Sequence, residues 1–206
     1  MYDRQTGSLW QHLRGEPVVG ALAHSGIRLV PRPVTTTSWA DWRRAHPATL
    51  VLDIRTGHVR DYTPGRPYGA YEASPDTMFP VFPRSDRLAT KERVFVLRLD
   101  PHRKVYPLAA LDREPVINDA VGDTAVVVTG RSATLTARAY GRGPHRFQPG
   151  PAPDTLLEEG SGATWDVGEE ALVRRRDGQR LPRLAGHLAY WFGWFAFHPD
   201  TPVYGR

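Results

Sequence analysis

Two histidines stand at the same point of two matched motifs. His46 follows Trp39-x-x-Trp42, and His198 follows Trp191-x-x-Trp194. Imidazoles related by an internal duplication could share one metal ion, since zinc takes neutral imidazole nitrogens. A full ligand set needs three or four groups, and neither HxH nor HxxxH spacing occurs in the chain. The residues favour a plainer role, in which each ring ends a helix and packs on its tryptophan pair. Glu16 and Glu169 likewise follow matched glycines, Gly15 and Gly168. Two carboxylates about 5–9 Å apart would suit glycoside hydrolysis. A Gly-Glu turn ahead of a strand is the simpler reading.

The best ligand-binding candidate is a tyrosine segment, Asp61-Tyr62…Pro67-Tyr68-x-x-Tyr71. Polar aromatics on a loop held by rigid elements suit contact with a ligand. The competing reading is that Tyr62, Tyr68 and Tyr71 seal the edge of a core. Basic residues number 27, of which only Lys91 and Lys104 are lysines. The one tight cluster, Arg174-Arg175-Arg176, could meet phosphate, but Asp177-Gly178 follows at once and favours a solvated hairpin flank. No nucleic-acid partner is therefore expected. The absence of cysteine excludes disulfides, thiol catalysis and thiolate metal sites in this chain. No P-loop, dinucleotide fingerprint, HExxH, GxSxG or EF-hand pattern occurs, so no catalytic residue and no cofactor is predicted. Residues 1–10 have neither a charged start nor an apolar run, so no signal peptide is read there. The longest apolar run, Leu188 to Phe197, is far short of the roughly twenty residues of a membrane span.

These side chains must be positioned by elements, and the elements come in two copies. Trp39, Trp42, His46, Pro47, Thr49 and Val51 recur as Trp191, Trp194, His198, Pro199, Thr201 and Val203. Gly26-x-Arg28-Leu29 recurs as Gly178-x-Arg180-Leu181, and Gly7-x-x-Trp10 as Gly162-x-x-Trp165. Tryptophan is rare, so ordered agreement of all six marks an internal repeat. Before Trp165 lies a long strand-like stretch starting near Arg93; before Trp10 lie nine residues. The first copy is thus expected to lack its front half. Met1 would then be an internal position of an older, longer protein.

Arg93–Leu99, Val116–Val121 and Thr124–Thr129 read as buried strands, and Thr134–Tyr140 as a half-buried one. Lys104–Leu111 reads as a strand with a turn of helix. Leu156–Leu157, Thr164–Val167 and Ala171–Val173 are short strands separated by glycine. Short strands with frequent turn signals predict a mostly β (α+β) fold, barrel- or sandwich-like, with each repeat closed by a short Trp-rich helix. In the first copy Ser38 caps a helix over Trp39–Ala45, with Asp41 completing a capping box and Pro47 ending it. In the second copy Leu188–Phe197 is apolar nearly all round, which predicts a buried helix. The expected divisions are residues 1–54 for the second half of the first repeat, 55–91 for a polar inter-repeat loop, and 92–206 for a complete second repeat. Trp10, Trp39, Trp42, Trp165, Trp191 and Trp194 form the structural core of the repeats in this reading.

The blocks MYDRQTGSLWQHLRGEPVVG, TTTSWADWRRAHPATLVL, PYGAY, KVYPLAAL, VINDAVG and GHLAYWFGWFAFHPDTPVYG, in that order, resemble the uncharacterised prokaryotic family called domain of unknown function 3179. The resemblance covers nearly the whole chain. It implies a longer front region with a Cys-Pro-x-Cys motif, and export in many members. This chain carries neither cysteine; the stretch Val128-Thr129-Gly130-Arg131-Ser132 stands where the second copy would hold that motif. Any thiol or metal chemistry of the family cannot be carried onto these residues. The reading is a non-catalytic β-repeat protein that binds an unknown small molecule or protein, with a homodimer through the bare first-copy face as one form. The alternative is an enzyme or metal protein whose reactive residues lie in a missing front region. The chain as written reads as cytoplasmic, and as exported if its front is incomplete.

Overall fold

The computed structural model describes residues 1–63, 65 and 68–206. In chain order the elements are β1 (Tyr2–Asp3), β2 (Ser8–Gln11), β3 (Glu16–Val19), α1 (Trp39–Ala45) and α2 (Gly69–Ala73). Then follow β4 (Arg93–Leu99), β5 (His102–Pro107), α3 (Leu108–Arg113), β6 (Val116–Val121), β7 (Thr124–Arg131) and β8 (Thr136–Gly141). The chain closes with β9 (Phe147–Pro149), β10 (Thr155–Glu158), β11 (Thr164–Val167), β12 (Ala171–Arg174), β13 (Arg180–Pro182), β14 (Gly186–Tyr190) and α4 (Trp191–Phe195). The strands form four antiparallel sheets, ordered β1-β2-β3, β14-β4-β5, β6-β7-β8 and β13-β12-β11-β10-β9. None closes on itself, so the fold is mostly β without a closed barrel. Three of the sheets have only three strands each, too few to curl round a core.

Period-two alternation explains how the sheets stack. On β4, Phe95 and Leu97 enter one core with Tyr106, Ile117, Val126 and Val128. The intervening Val94 and Val96 enter another with Val105, Trp191, Trp194 and Val203. Both faces of β4 are therefore covered, which is why its sequence reads as a continuous apolar run. On β7, Val126 and Val128 face the first core, while Val127 turns to a third with Tyr140, Phe147, Leu156 and Trp165. The β14-β4-β5 sheet, the β6-β7-β8 sheet and the five-stranded sheet thus lie in successive layers, with α4 on the outer face of the first.

The expected strands at Arg93–Leu99, Val116–Val121, Thr164–Val167 and Ala171–Val173 all form, as does the strand-then-helix pair β5 and α3. Helix α1 spans the predicted residues: Ser38 Oγ accepts from the Asp41 amide at 3.1 Å, and Ser38 donates to the Asp41 carboxylate at 2.8 Å. The C-terminal apolar run departs from expectation. Only Trp191–Phe195 is helical, because Leu188–Tyr190 belong to β14 and pair with Arg93–Phe95 of β4. An all-apolar stretch is equally compatible with a buried strand, and β4 supplies the ladder. Its two tryptophans are core, with Trp191 1% and Trp194 0% exposed, whereas Trp39 and Trp42 are 50% and 36% exposed. The expectation that all six indoles are core therefore fails for the first copy.

Residues before Val94 contribute almost nothing to the interior. Among those described, only Ser8, Gly15 and Pro17 are buried. Leu13 and Leu88 pack against the Trp191–Trp194 core and Tyr71 against Tyr190, and the other fastenings of this portion are polar. The Val34 amide donates to the Gly186 carbonyl at 3.2 Å, and Arg183 donates to the Val34 carbonyl and to Thr35. Thr35, Arg138 and Arg183 converge on the Glu169 carboxylate. Burial works against its charge, but the donors outweigh it and hold Glu169 at about 2, well below the ordinary 4.5. A carboxyl depressed in the folded state stabilises above its ordinary value, and that contribution fades as pH falls toward 2.

Two outcomes are expected. Glu169→Gln flattens the pH dependence of stability between 4.5 and 2, followed by circular dichroism, while costing about 1 kcal/mol or less at neutral pH because the side chain is part-exposed and screened. An unchanged acid transition contradicts this role. Thr201→Val strands the buried Trp194 indole and costs about 1–3 kcal/mol in urea unfolding. The matched Thr49→Val, at an exposed site, costs about 0.5 kcal/mol or less.

Candidate functional site

The tryptophan motifs build the same local unit in both places. Trp42 Nε1–H donates to Thr49 Oγ1 at 3.0 Å, and Trp194 Nε1–H donates to Thr201 Oγ1 at 3.0 Å. The amide of Thr49 donates to the His46 carbonyl, as that of Thr201 does to His198. The His46 ring lies 4.1 Å from Trp42 and tilted 35°; the His198 ring lies 4.2 Å from Trp194 and tilted 36°. Each histidine packs on an indole; His46 is the C-cap of α1, while His198 lies three residues past the last residue of α4. The helix delivers a Trp at its second turn, Pro47 or Pro199 turns the chain, and the Thr two residues later returns to cap the indole.

The two histidines do not meet. They line separate clefts, and each cleft borrows the Gly-Glu turn of the other motif set. His198 shares an open cleft of ≈ 680 Å³ with Glu16, Arg14, Arg28, Arg98 and Arg103. His46 shares one of ≈ 280 Å³ with Glu169, Asp41, Asp154, Arg44, Arg131 and Arg138. Glu16 and Glu169, weighed as paired carboxylates, therefore work apart, each clasped by two arginines. Arg14 and Arg28 hold Glu16 at 3.1 and 2.6 Å; Arg138 and Arg183 hold Glu169. Burial, then the charges of Arg103, Arg98 and Arg14, lower the pKa of His198. Its Nδ1 faces the Arg103 guanidinium and its Nε2 the Leu13 carbonyl at 3.3 Å. That arrangement suits a neutral ring with the proton on Nε2. No group of three or more His, Asp or Glu able to hold a metal ion occurs among the described residues.

The tyrosine segment is split. Tyr68 and Tyr71 belong to α2 and its start, while Asp61 and Tyr62 precede it; Pro67 lies outside the described residues. Tyr71 packs edge-on to Tyr190, and Lys91 Nζ sits 3.4 Å over its ring while donating to the carbonyls of Tyr71 and Ser74. Tyr62 and Tyr68 are 49% and 70% exposed. The arginine run is paired rather than merely solvated: Arg175 with Asp166, Arg176 with Asp177, and Arg174 with Asp177. Arg174 is also largely buried, its guanidinium 5.2 Å from the Trp165 ring centre.

Sequence reasoning missed a buried polar cluster under the five-stranded sheet. Glu158 accepts from Trp165 Nε1 at 3.1 Å and lies 2.6 Å from His145 Nδ1. Burial opposes its charge, but the hydrogen bonds from His145, Ser161 and Trp165 prevail and lower its pKa. Ser161 and Trp165 follow Glu158 closely in sequence, but His145 comes from a separate turn, and no chemical motif has that spacing. The cluster fixes the Trp165 ring in the core.

No curated protein and no solved structure matches this chain. Residues 1–201 match the family described as protein of unknown function, DUF3179. That match takes in both tryptophan motifs, both clefts and all four sheets, and the chain is a member of this family.

Proposed function

We propose that the protein is a non-catalytic partner-binding protein of tandem repeats, in which residues 1–54 repeat the second half of a unit and residues 92–206 form the complete unit. The inter-repeat segment, residues 55–91, joins them. Support comes from the Trp–Thr–His geometry that recurs at Trp42 and Trp194, and from β1-β2-β3 and β10-β11-β12, each an antiparallel meander with its tryptophan on the middle strand.

The observation that carries the binding role is the difference in cover between the two units. Around Trp191 and Trp194, the valines of β4 and β5 complete a core, and Val203 forms a parallel bridge to Val105. Around Trp39 and Trp42 the matched valine, Val51, is 68% exposed, flanked by Leu50 at 95% and Leu52 at 83%. Val18 and Val19 on β3 are also half exposed. The chain exposes 13007 Å². A folded monomer of 23.1 kDa exposes about 9,700 Å². The excess of about 3,300 Å² reflects the open course of the residues ahead of β4, most of which are exposed. Large apolar side chains left this exposed suit an interaction site.

The occupant is a valine-rich antiparallel strand pair of the β4–β5 kind, adding alongside Leu50–Leu52 and placing alternate valines on Trp39 and Trp42. A second copy cannot supply its own β4–β5 without uncovering its Trp191 and Trp194. The probe is therefore a peptide with the sequence of residues 93–107. It is expected to bind saturably and shift tryptophan fluorescence to the blue, with Val51→Asp abolishing the effect and a peptide carrying aspartate at its Val94 and Val96 positions inactive. Binding unaffected by Val51→Asp, no binding, or a stable homodimer that hides Trp39 and Trp42 without peptide would each overturn the proposal.

A further inference from the structure

We propose that the cleft between the Gly15-Glu16 turn and the end of α4 binds a phosphomonoester. It is independent of the apolar face described above. Four guanidiniums, Arg14, Arg28, Arg98 and Arg103, line it against only two carboxylates, Glu16 and Asp100. With His198 neutral, four positive and two negative groups leave a local excess of two positive charges. The matching cleft around His46 has three arginines against three carboxylates and no such excess. A phosphomonoester dianion matches the imbalance.

The placement of the charges sharpens this. Arg98 and Arg103 stand directly opposite one another on the β4–β5 ladder. Like charges so paired destabilise a sheet unless something between them is negative. Asp100 answers Arg98, with paired contacts of 2.9 Å. Arg103 instead points a guanidinium at the ring of His198, and no carboxylate among the described residues pairs with it. Arg98 is held in place from behind by the carbonyls of Leu13 and Arg14, and its side chain is only 10% exposed. Arg98 is thereby committed to Asp100 and the two carbonyls and contributes its charge, whereas Arg103, engaged only at Nη1 by His198 among the described residues, keeps N–H donors that can meet phosphate oxygens. Asp100 is lowered first by its hydrogen bonds from Arg98, and the charges of Arg28 and Arg103 reach it too, so all converge on one space. The cleft, at ≈ 680 Å³, is far larger than a phosphate group, and half-exposed Phe197 gives it an apolar wall. That space fits the organic part of an ester, as ligand clefts of about 300–1,000 Å³ do.

Isothermal titration calorimetry at fixed ionic strength tests the site with inorganic phosphate and phenyl phosphate. Both are expected to bind one per chain, phenyl phosphate more tightly because its ring meets Phe197. Arg103→Gln weakens both by about tenfold or more, and Arg44→Gln, in the neutral cleft, leaves them unchanged. Should Arg103→Gln disturb folding, Arg28→Gln, whose side chain is 60% exposed, gives the same reading. Absence of saturable binding, or equal losses in Arg28→Gln and Arg44→Gln, would refute the site. Equal affinity for the two anions would refute its assignment to an ester over free phosphate.

Discussion

Burying an indole is costly when its N–H lacks an acceptor; Trp194 finds one in a threonine seven residues along the chain and Trp165 in Glu158, while Trp191 Nε1 is buried without one. The bond from Trp194 to Thr201 forces the chain to double back after α4. The return places Val203 beside Val105 and seats Trp191 and Trp194 on the outer valines of β4 and β5. Because β4 is covered on that side, its other face is free to build the central core against β6 and β7. The outermost of these layers is thus anchored at one satisfied polar atom. A stranded N–H in such a place costs more than the bond itself returns.

The same bond recurs from Trp42 to Thr49 with no sheet above it. Local chemistry therefore builds the unit, and tertiary cover is a separate matter. Residues ahead of β4 are held largely by polar contacts: Thr35 with Glu169 and Arg183, the Leu13 and Arg14 carbonyls with Arg98, Glu72 with Arg93, and Arg87 with the Pro199 and Thr201 carbonyls. Polar fastening of this kind leaves apolar surface uncommitted. A protein stabilised mainly from residue 93 onward can thus present its earlier residues as a binding face.

Much of the fold was legible because its signals are local. The cap at Ser38, the proline after His46 and the alternation of β4 and β7 are each written within a few residues. The recurrence of the Trp-x-x-Trp…His-Pro-x-Thr motif stands out because tryptophan is scarce. Leu188–Tyr190 was misread because an apolar run without polar punctuation does not distinguish helix from strand; only the partner β4 decides. The clefts were hidden for a different reason. Glu16, Arg98, Arg103 and His198 lie far apart in sequence, and only the folded chain brings them to one space. Of the residues singled out beforehand, His46, His198, Glu16 and Glu169 do line clefts, but crossed between copies rather than paired within one site. The tyrosine segment offers residue type but no spacing that fixes a site, and Tyr71 is engaged by Lys91 and Tyr190.

The Trp–Thr–His arrangement at Trp194 is covered by β4 and β5, and the matching one at Trp42 is bare. Labelling the chain with 5-fluorotryptophan and comparing fluorine resonances in light and heavy water reads solvent contact at each ring separately. Trp39 and Trp42 should show a solvent isotope shift, while Trp165, Trp191 and Trp194, each 1% exposed or less, should show none. Resonances of Trp39 and Trp42 as insensitive to solvent as those of Trp191 and Trp194 would contradict the account.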